Sequence, residues 1–157
     1  MKGLAFFDTN ILVYSDDTAD AAKQARAVSL LAAHRRDNSL VVSLQVLQEY
    51  YAATTRKLKV DPLVAQAKIE AFARGRVVRF TERDVIAAIE LHRLTQISFW
   101  DAMIVHAARV ANAPVLYSED LAHGSMPAGV TVQNPGRSSP WTSPTSCSER
   151  ERIHEVE

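Results

Sequence analysis

The chain has 157 residues, 47% of them hydrophobic and 23% charged, the balance of one soluble domain that can bury a core without disulfides or structural metal. Its single cysteine, Cys147, excludes an internal disulfide framework and fits a reducing compartment. The formal net charge is zero, with 18 basic and 18 acidic residues, which at face value argues against a nucleic-acid binder.

The distribution of charge qualifies that reading. Residues 1–135 carry 15 Lys/Arg and 14 Asp/Glu, so four acids committed to a metal would leave the basic residues in excess. Arg56, Lys57 and Lys59 lie close in sequence, as do Arg74, Arg76, Arg79 and Arg83. Those clusters are either a phosphate-binding surface or solvated helix ends and turns.

Leu4 to Phe7 is a short apolar run that reads as a buried strand ending at Asp8. It is too short for a signal-peptide core or a membrane span, so the expected location is the cytoplasm, with no membrane partner. Ile11 to Tyr14 starts a short helix or turn. Thr18 is placed to cap a helix from Ala19 to Arg36, and Asp37-Asn38 is a turn signal. Leu40 to Val42 reads as a second strand, and Ser43 caps a helix over 44–58. Asp61-Pro62 combines an N-cap with Pro at the first helical position, opening a helix to about Arg74 that stops at Gly75. Val77 to Phe80 is the third expected strand. Thr81-x-x-Asp84 and Ser98-x-x-Asp101 are capping-box patterns for helices to about Gln96 and Asn112. Val115 to Tyr117 reads as the fourth strand, and Val130 to Val132 as a fifth at an edge.

Strands alternating with helices indicate βα crossovers, hence an α/β fold with a parallel sheet and helices on both faces. After Pro135 the chain becomes rich in Ser and then in charge. Residues 1–135 are therefore expected to form the domain, and 136–157 a disordered tail.

In an open α/β sheet, ligands bind beyond the carboxyl ends of the strands. Asp8 ends the first strand, and Ser118, Glu119 and Asp120 end the fourth. Glu49 lies in the second turn of the helix after the second strand, and Asp101 in the first turn of the helix before the fourth. Four acids from separate segments can thus converge on one cleft.

Each has a plainer alternative. Asp8 can cap the following turn, Asp101 can complete the Ser98 capping box, and Asp120 can be an ordinary turn residue. Glu49 can be a solvated helix residue, although Gln45, Val46, Ala52 and Ala53, its neighbours at three and four residues, offer no basic partner. It falls opposite a stripe of Leu47, Tyr51, Thr54 and Leu58. Asp101 belongs to a helix that is apolar nearly all round, from Phe99 and Trp100 to Val110, and such a helix is expected to be mostly buried. A carboxylate there needs a cation, hydrogen bonds or a raised pKa.

Carboxylates without a Cys or His cluster suit Mg²⁺ or Mn²⁺ and not zinc. Among the five histidines only His123 is expected near the site. Such ions support phosphodiester hydrolysis. No Gly-rich phosphate loop or nucleophile elbow is present.

Phe7-Asp8-Thr9-Asn10-Ile11-Leu12, Gln48-Glu49, Phe99-Trp100-Asp101-Ala102 and Ser118-Glu119-Asp120-Leu121, in that order, resemble the PIN-domain nucleases. They are most similar to the VapC-type toxins of bacterial toxin–antitoxin pairs. The resemblance covers about residues 3–135. It implies a three-layer α/β/α domain and Mg²⁺- or Mn²⁺-dependent endonucleolytic cleavage of RNA. Asp8, Glu49, Asp101 and Asp120 then become the acidic quartet around the metal. Asn10 and Ser118 become supporting groups, with Glu119 a neighbour that shapes the field. It also implies a homodimer held inactive by a small antitoxin. Two features depart from the family pattern: Asn134-Pro135 is followed by Gly136 and an unrelated tail, and the net charge is neutral. The competing functions are another Mg²⁺-dependent phosphoryl hydrolase, such as a small phosphatase, and a non-catalytic PIN-like module that binds RNA or protein. Asp8-Thr9-Asn10 lacks the second Asp expected of the first, and the intact quartet disfavours the second.

Overall fold

A computed structural model describes residues 3–136. The expectation of a tail over 136–157 therefore concerns, apart from Gly136, residues outside those described. In chain order the elements are β1 (Ala5–Phe7), α1 (Thr9–Tyr14), α2 (Ala21–Arg36), β2 (Leu40–Ser43), α3 (Leu44–Lys57), α4 (Pro62–Phe72), β3 (Arg76–Val78), α5 (Glu82–Thr95), α6 (Phe99–Val110), β4 (Val115–Tyr117) and β5 (Thr131–Gln133), with a 3₁₀ turn at Pro127–Gly129.

The five strands form one sheet in the order β3-β2-β1-β4-β5, and each neighbouring pair is parallel. Central strands of such a sheet are covered on both faces and so read as unbroken apolar runs. Ala5, Phe6 and Phe7 of β1 are accordingly at most 1% exposed. Helix α2 packs on β2, while α6 lies along β1, β2 and β4. This is the three-layer α/β/α architecture expected from the sequence.

The helix starts follow local chemistry. Asp61 caps α4 through a 2.8 Å bond from the Leu63 N–H, with Pro62 at the first position. Thr81 and Asp84 form the full capping box of α5. One expected start is corrected: α2 begins at Ala21, capped by Asp20, whose carboxylate accepts from the Lys23 N–H at 3.0 Å. Asp17 already turns the chain by accepting from the Ala19 N–H, so Thr18 is not the cap.

The third strand is also shifted. It covers Arg76–Val78, not Val77 to Phe80, because its ladder with Val41, Val42 and Ser43 runs out where β2 becomes α3. Arg76 donates to the Ala111 carbonyl at 2.9 Å, so this basic residue helps close the end of α6. Gly75 before it is required by close approach. A Cβ there would meet the Leu40 carbonyl oxygen at 2.8 Å.

Two helix faces differ from their sequence reading. The buried stripe of α3 is Val46, Leu47, Tyr50 and Thr54, and Tyr51 is 41% exposed. Tyr50 is the residue turned inward, where it donates to Asp16 and meets the Phe72 ring. Helix α6 is buried along Ala102, Ile104, Val105, Ala107 and Ala108, yet Trp100 is 62% exposed and Val110 40%. Pairing with α5 and the sheet covers one side of α6 only, so all-round apolarity overstates its burial.

Candidate active site

From β1 the sheet grows one way through β2 and β3, and the other way through β4 and β5. The strand order therefore reverses between β1 and β4, where a crevice opens at the carboxyl edge of an α/β sheet. Phe7 is paired in register with Tyr117, which sets the following residues, Asp8 and Ser118, side by side beyond the strand ends. The Asp8 N–H donates to the Tyr117 carbonyl at 3.0 Å, and the Ser118 hydroxyl donates to Asp8 Oδ2 at 2.8 Å. Asp8 Oδ1 accepts from the Thr9 N–H at 2.7 Å, so Asp8 also caps α1. The capping alternative and membership of the acidic site hold together.

Asp101 enters from the first turn of α6, and Asp120 from the segment after β4. Only half of the Ser98 box forms: the Ser98 hydroxyl accepts from the Asp101 N–H at 3.1 Å, and the Asp101 carboxylate joins the acidic group. Asp120 is placed by its own N–H, which donates to Ser118 Oγ at 3.2 Å. One carboxylate oxygen each from Asp8, Asp101 and Asp120 lie within 4.8 Å of one another. A hard cation with ligands at ~2.1 Å holds opposite oxygens ~4.2 Å apart, so the three acids stand close to ligating distance.

The electrostatics of the group are those of crowded carboxylates partly withdrawn from water. Asp8 is 5% exposed. Burial pushes its carboxyl up from 3.8 to about 6 against the lowering effect of the Ser118 and Thr9 hydrogen bonds, and the charges of Asp120 and Asp101 push the same way. Asp120 is also raised, first by desolvation of its carboxyl end and then by Asp101, with smaller contributions from Glu119 and Glu49. The Asn10 amide beside Asp120 works in the opposite sense. Neither amide atom of Asn10 closes a hydrogen bond of normal geometry, although both are buried. Clustered oxygens, a raised buried acid and the buried Asn10 amide beside Asp120 fit a bound divalent cation.

Glu49 is placed at the rim, outside the group of three. Its carboxylate accepts from Thr9 Oγ1 at 2.6 Å and from Gln45 Nε2 at 2.8 Å. Glu119 lies outside the group of three. It accepts from the Tyr14 hydroxyl at 2.5 Å and pairs with Lys23 at 3.0 Å. His123 serves the loop, its Nδ1 accepting from the Asn134 N–H at 3.0 Å. The sequence reading missed Thr9, Tyr14 and Lys23 as partners of these acids, and named Gln45 only as a neighbour of Glu49 that offers no positive charge. Gln45, four residues before Glu49 on one helix, is the one that spacing alone could have supplied.

A parallel sheet with an acidic crevice at its switch point places the chain among α/β domains with a carboxylate-lined site. The family model "PIN domain" matches residues 5–127, and the chain belongs to the PIN-domain family. No curated protein sequence matches it significantly.

Among solved structures it is similar to Mycobacterium tuberculosis VapC20, a sarcin–ricin loop cleaving toxin, at 24% identity over 71% of this chain and 86% of that one, with a TM-score of 0.59. It is similar to VapBC2 from Rickettsia felis, bound to a DNA fragment of its promoter, at 19% identity over 83% and 98% of the two chains, again with a TM-score of 0.59. A toxin–antitoxin complex from Klebsiella pneumoniae gives 20% identity over 83% and 97%, also at 0.59. These likenesses carry the fold. No helix among the described residues is long and apolar enough to cross a membrane.

Proposed function

We propose that this PIN domain is an endoribonuclease that hydrolyses RNA phosphodiester bonds with Mg²⁺ or Mn²⁺, and that it acts in the cytoplasm as the toxin of a toxin–antitoxin pair. The observation that carries the reading is the convergence of Asp8, Asp101 and Asp120 on the switch point of the sheet. An all-oxygen donor set favours these hard ions over zinc. When bound, such an ion polarises a phosphoryl oxygen and activates water for attack.

The remaining work falls to the chain itself. Ser118 and the Thr9 N–H fix both oxygens of Asp8, and Ser118 also fixes the backbone of Asp120. Asn10 orients Asp120. Glu49, steered by Thr9 and Gln45, would complete the quartet from the rim. Glu119, neutralised by Lys23, limits the negative field that an RNA phosphate meets on that side.

The substrate class and partners are supported by the neighbours: VapC20 is a toxin that cleaves the sarcin–ricin loop, and two others are toxin–antitoxin assemblies. A small antitoxin and a second copy of the chain are the corresponding proposed partners.

The test is cleavage of single-stranded and hairpin RNA by purified protein. Cleavage is expected with added Mg²⁺ or Mn²⁺ and none in EDTA; undiminished cleavage in EDTA would refute the metal-dependent reading.

A further inference from the structure

A second cleft opens at the carboxyl edge of the sheet, over β2 and β3. It has a volume of about 180 Å³, and its lining includes Leu44, Gln45, Gln48, Val78, Phe80 and Met103. None of Asp8, Asp101 and Asp120 lines it. We propose that this cleft holds one unpaired nucleobase of the RNA whose backbone lies in the acidic crevice, and that Gln48 reads the edge of that base. The inference rests on the ribonuclease reading.

Four observations carry it. The first is size. Sites for whole small-molecule ligands usually span ~300–1,000 Å³, and this smaller cleft is of a size for a single planar ring. The second is chemistry. Phe80 and Met103 give the apolar and polarisable surface on which a base stacks, and Gln48 is exposed with no hydrogen-bond partner among the described residues. A free amide presents a donor and an acceptor side by side, the arrangement that reads a base edge.

The third is continuity with the acids. Gln45 lines the cleft and donates to Glu49 Oε1, while Glu49 Oε2 accepts from Thr9, the neighbour of Asp8. A short polar chain thus joins the cleft to the crevice, and an RNA strand can lie across both. The fourth is the approach. Trp100 is 62% exposed beside Asp101, with its ring 5.2 Å from that of Phe99, one helical turn from Met103. Single-stranded RNA is held by stacking of splayed bases on such side chains.

The experiment compares a set of RNA oligonucleotides differing only in the bases flanking the cleavage position. Wild type is measured against Gln48→Ala and Gln48→Glu, both exposed helix substitutions. Wild type is expected to prefer particular bases at one position, and Gln48→Ala to reduce kcat/KM on the preferred RNA by about tenfold, equivalent to one good base-edge contact of about 1.4 kcal/mol. Gln48→Glu, which loses the donor, is expected to change the order of preference.

Binding of the same oligonucleotides to an Asp8→Asn background separates this inference from the ribonuclease reading. Base-dependent binding lost on Gln48→Ala supports the cleft even if wild type cuts no RNA. Cleavage by wild type with the same base preference in all three proteins would overturn the cleft and leave the ribonuclease reading standing. Loss of binding together with a changed oligomeric state would assign the cleft to a protein interface and overturn it as well.

Discussion

Asp8→Asn is expected to make the metal-free protein more stable while ending cleavage. The Asp8 carboxyl is buried and raised from 3.8 to about 6. A raised carboxyl pKa means that the folded state holds the proton more tightly than the unfolded chain does between about pH 4 and pH 6. Stability therefore falls as pH rises through that window and levels off above it. The full penalty of ionised Asp8 at pH 7 is about 3 kcal/mol, at 1.36 kcal/mol per unit.

Asn resembles the protonated acid and carries no such penalty. The variant should be about 2–3 kcal/mol more stable than wild type at pH 7 without metal, and nearly equal to it at pH 4. For a domain of this size that is a rise of about 2–4 °C in Tm per kcal/mol. Urea denaturation in EDTA at pH 4, 5, 6 and 7 measures the difference, and millimolar Mg²⁺ should narrow it by stabilising wild type alone. An Asp8→Asn variant that is less stable than wild type at pH 7, or a difference that does not vary with pH, would show that the crevice does not burden Asp8 in this way.

Asp101→Asn should leave metal-free stability unchanged or slightly raised, because the cap of α6 is the Ser98 hydroxyl. Ser98→Ala should cost about 1 kcal/mol, and calorimetry of the two variants separates the cap from the acid. Gly75→Ala should cost about 1–3 kcal/mol by overpacking against the Leu40 carbonyl, readable as a drop in the denaturation midpoint with no change in m-value.

The fold and the convergence of Asp8, Asp101 and Asp120 were legible because each rested on a local rule with a sharp outcome. An apolar strand ending in Asp8 can only deliver that residue to the sheet mouth, and Asp61-Pro62 and Thr81-x-x-Asp84 fix helix starts by hydrogen bonds within the segment. Glu49 was harder. Its helix turn was clear, but its rotation about α3 and its distance from Asp8 depend on how Tyr50 docks on Asp16 and Phe72, contacts made across long stretches of chain. The same limit hid the Tyr14–Glu119–Lys23 cluster, which joins residues 105 positions apart. The boundary of β3 was set by where β2 turns into α3, and no property of residues 77–80 alone records that.

The most direct test of the metal-dependent acidic site is a titration of Mn²⁺ into wild type and Asp101→Asn by calorimetry, with RNA cleavage followed in the same samples. Asp101 is the acid whose only competing role, helix capping, is taken by Ser98. Saturable Mn²⁺ binding to wild type is predicted, with binding weakened at least about tenfold in the variant, as expected for the loss of one charged ligand. Cleavage should rise with occupancy and collapse in step with it. Equal Mn²⁺ binding by both proteins, with RNA still cut by Asp101→Asn, would contradict the site as drawn.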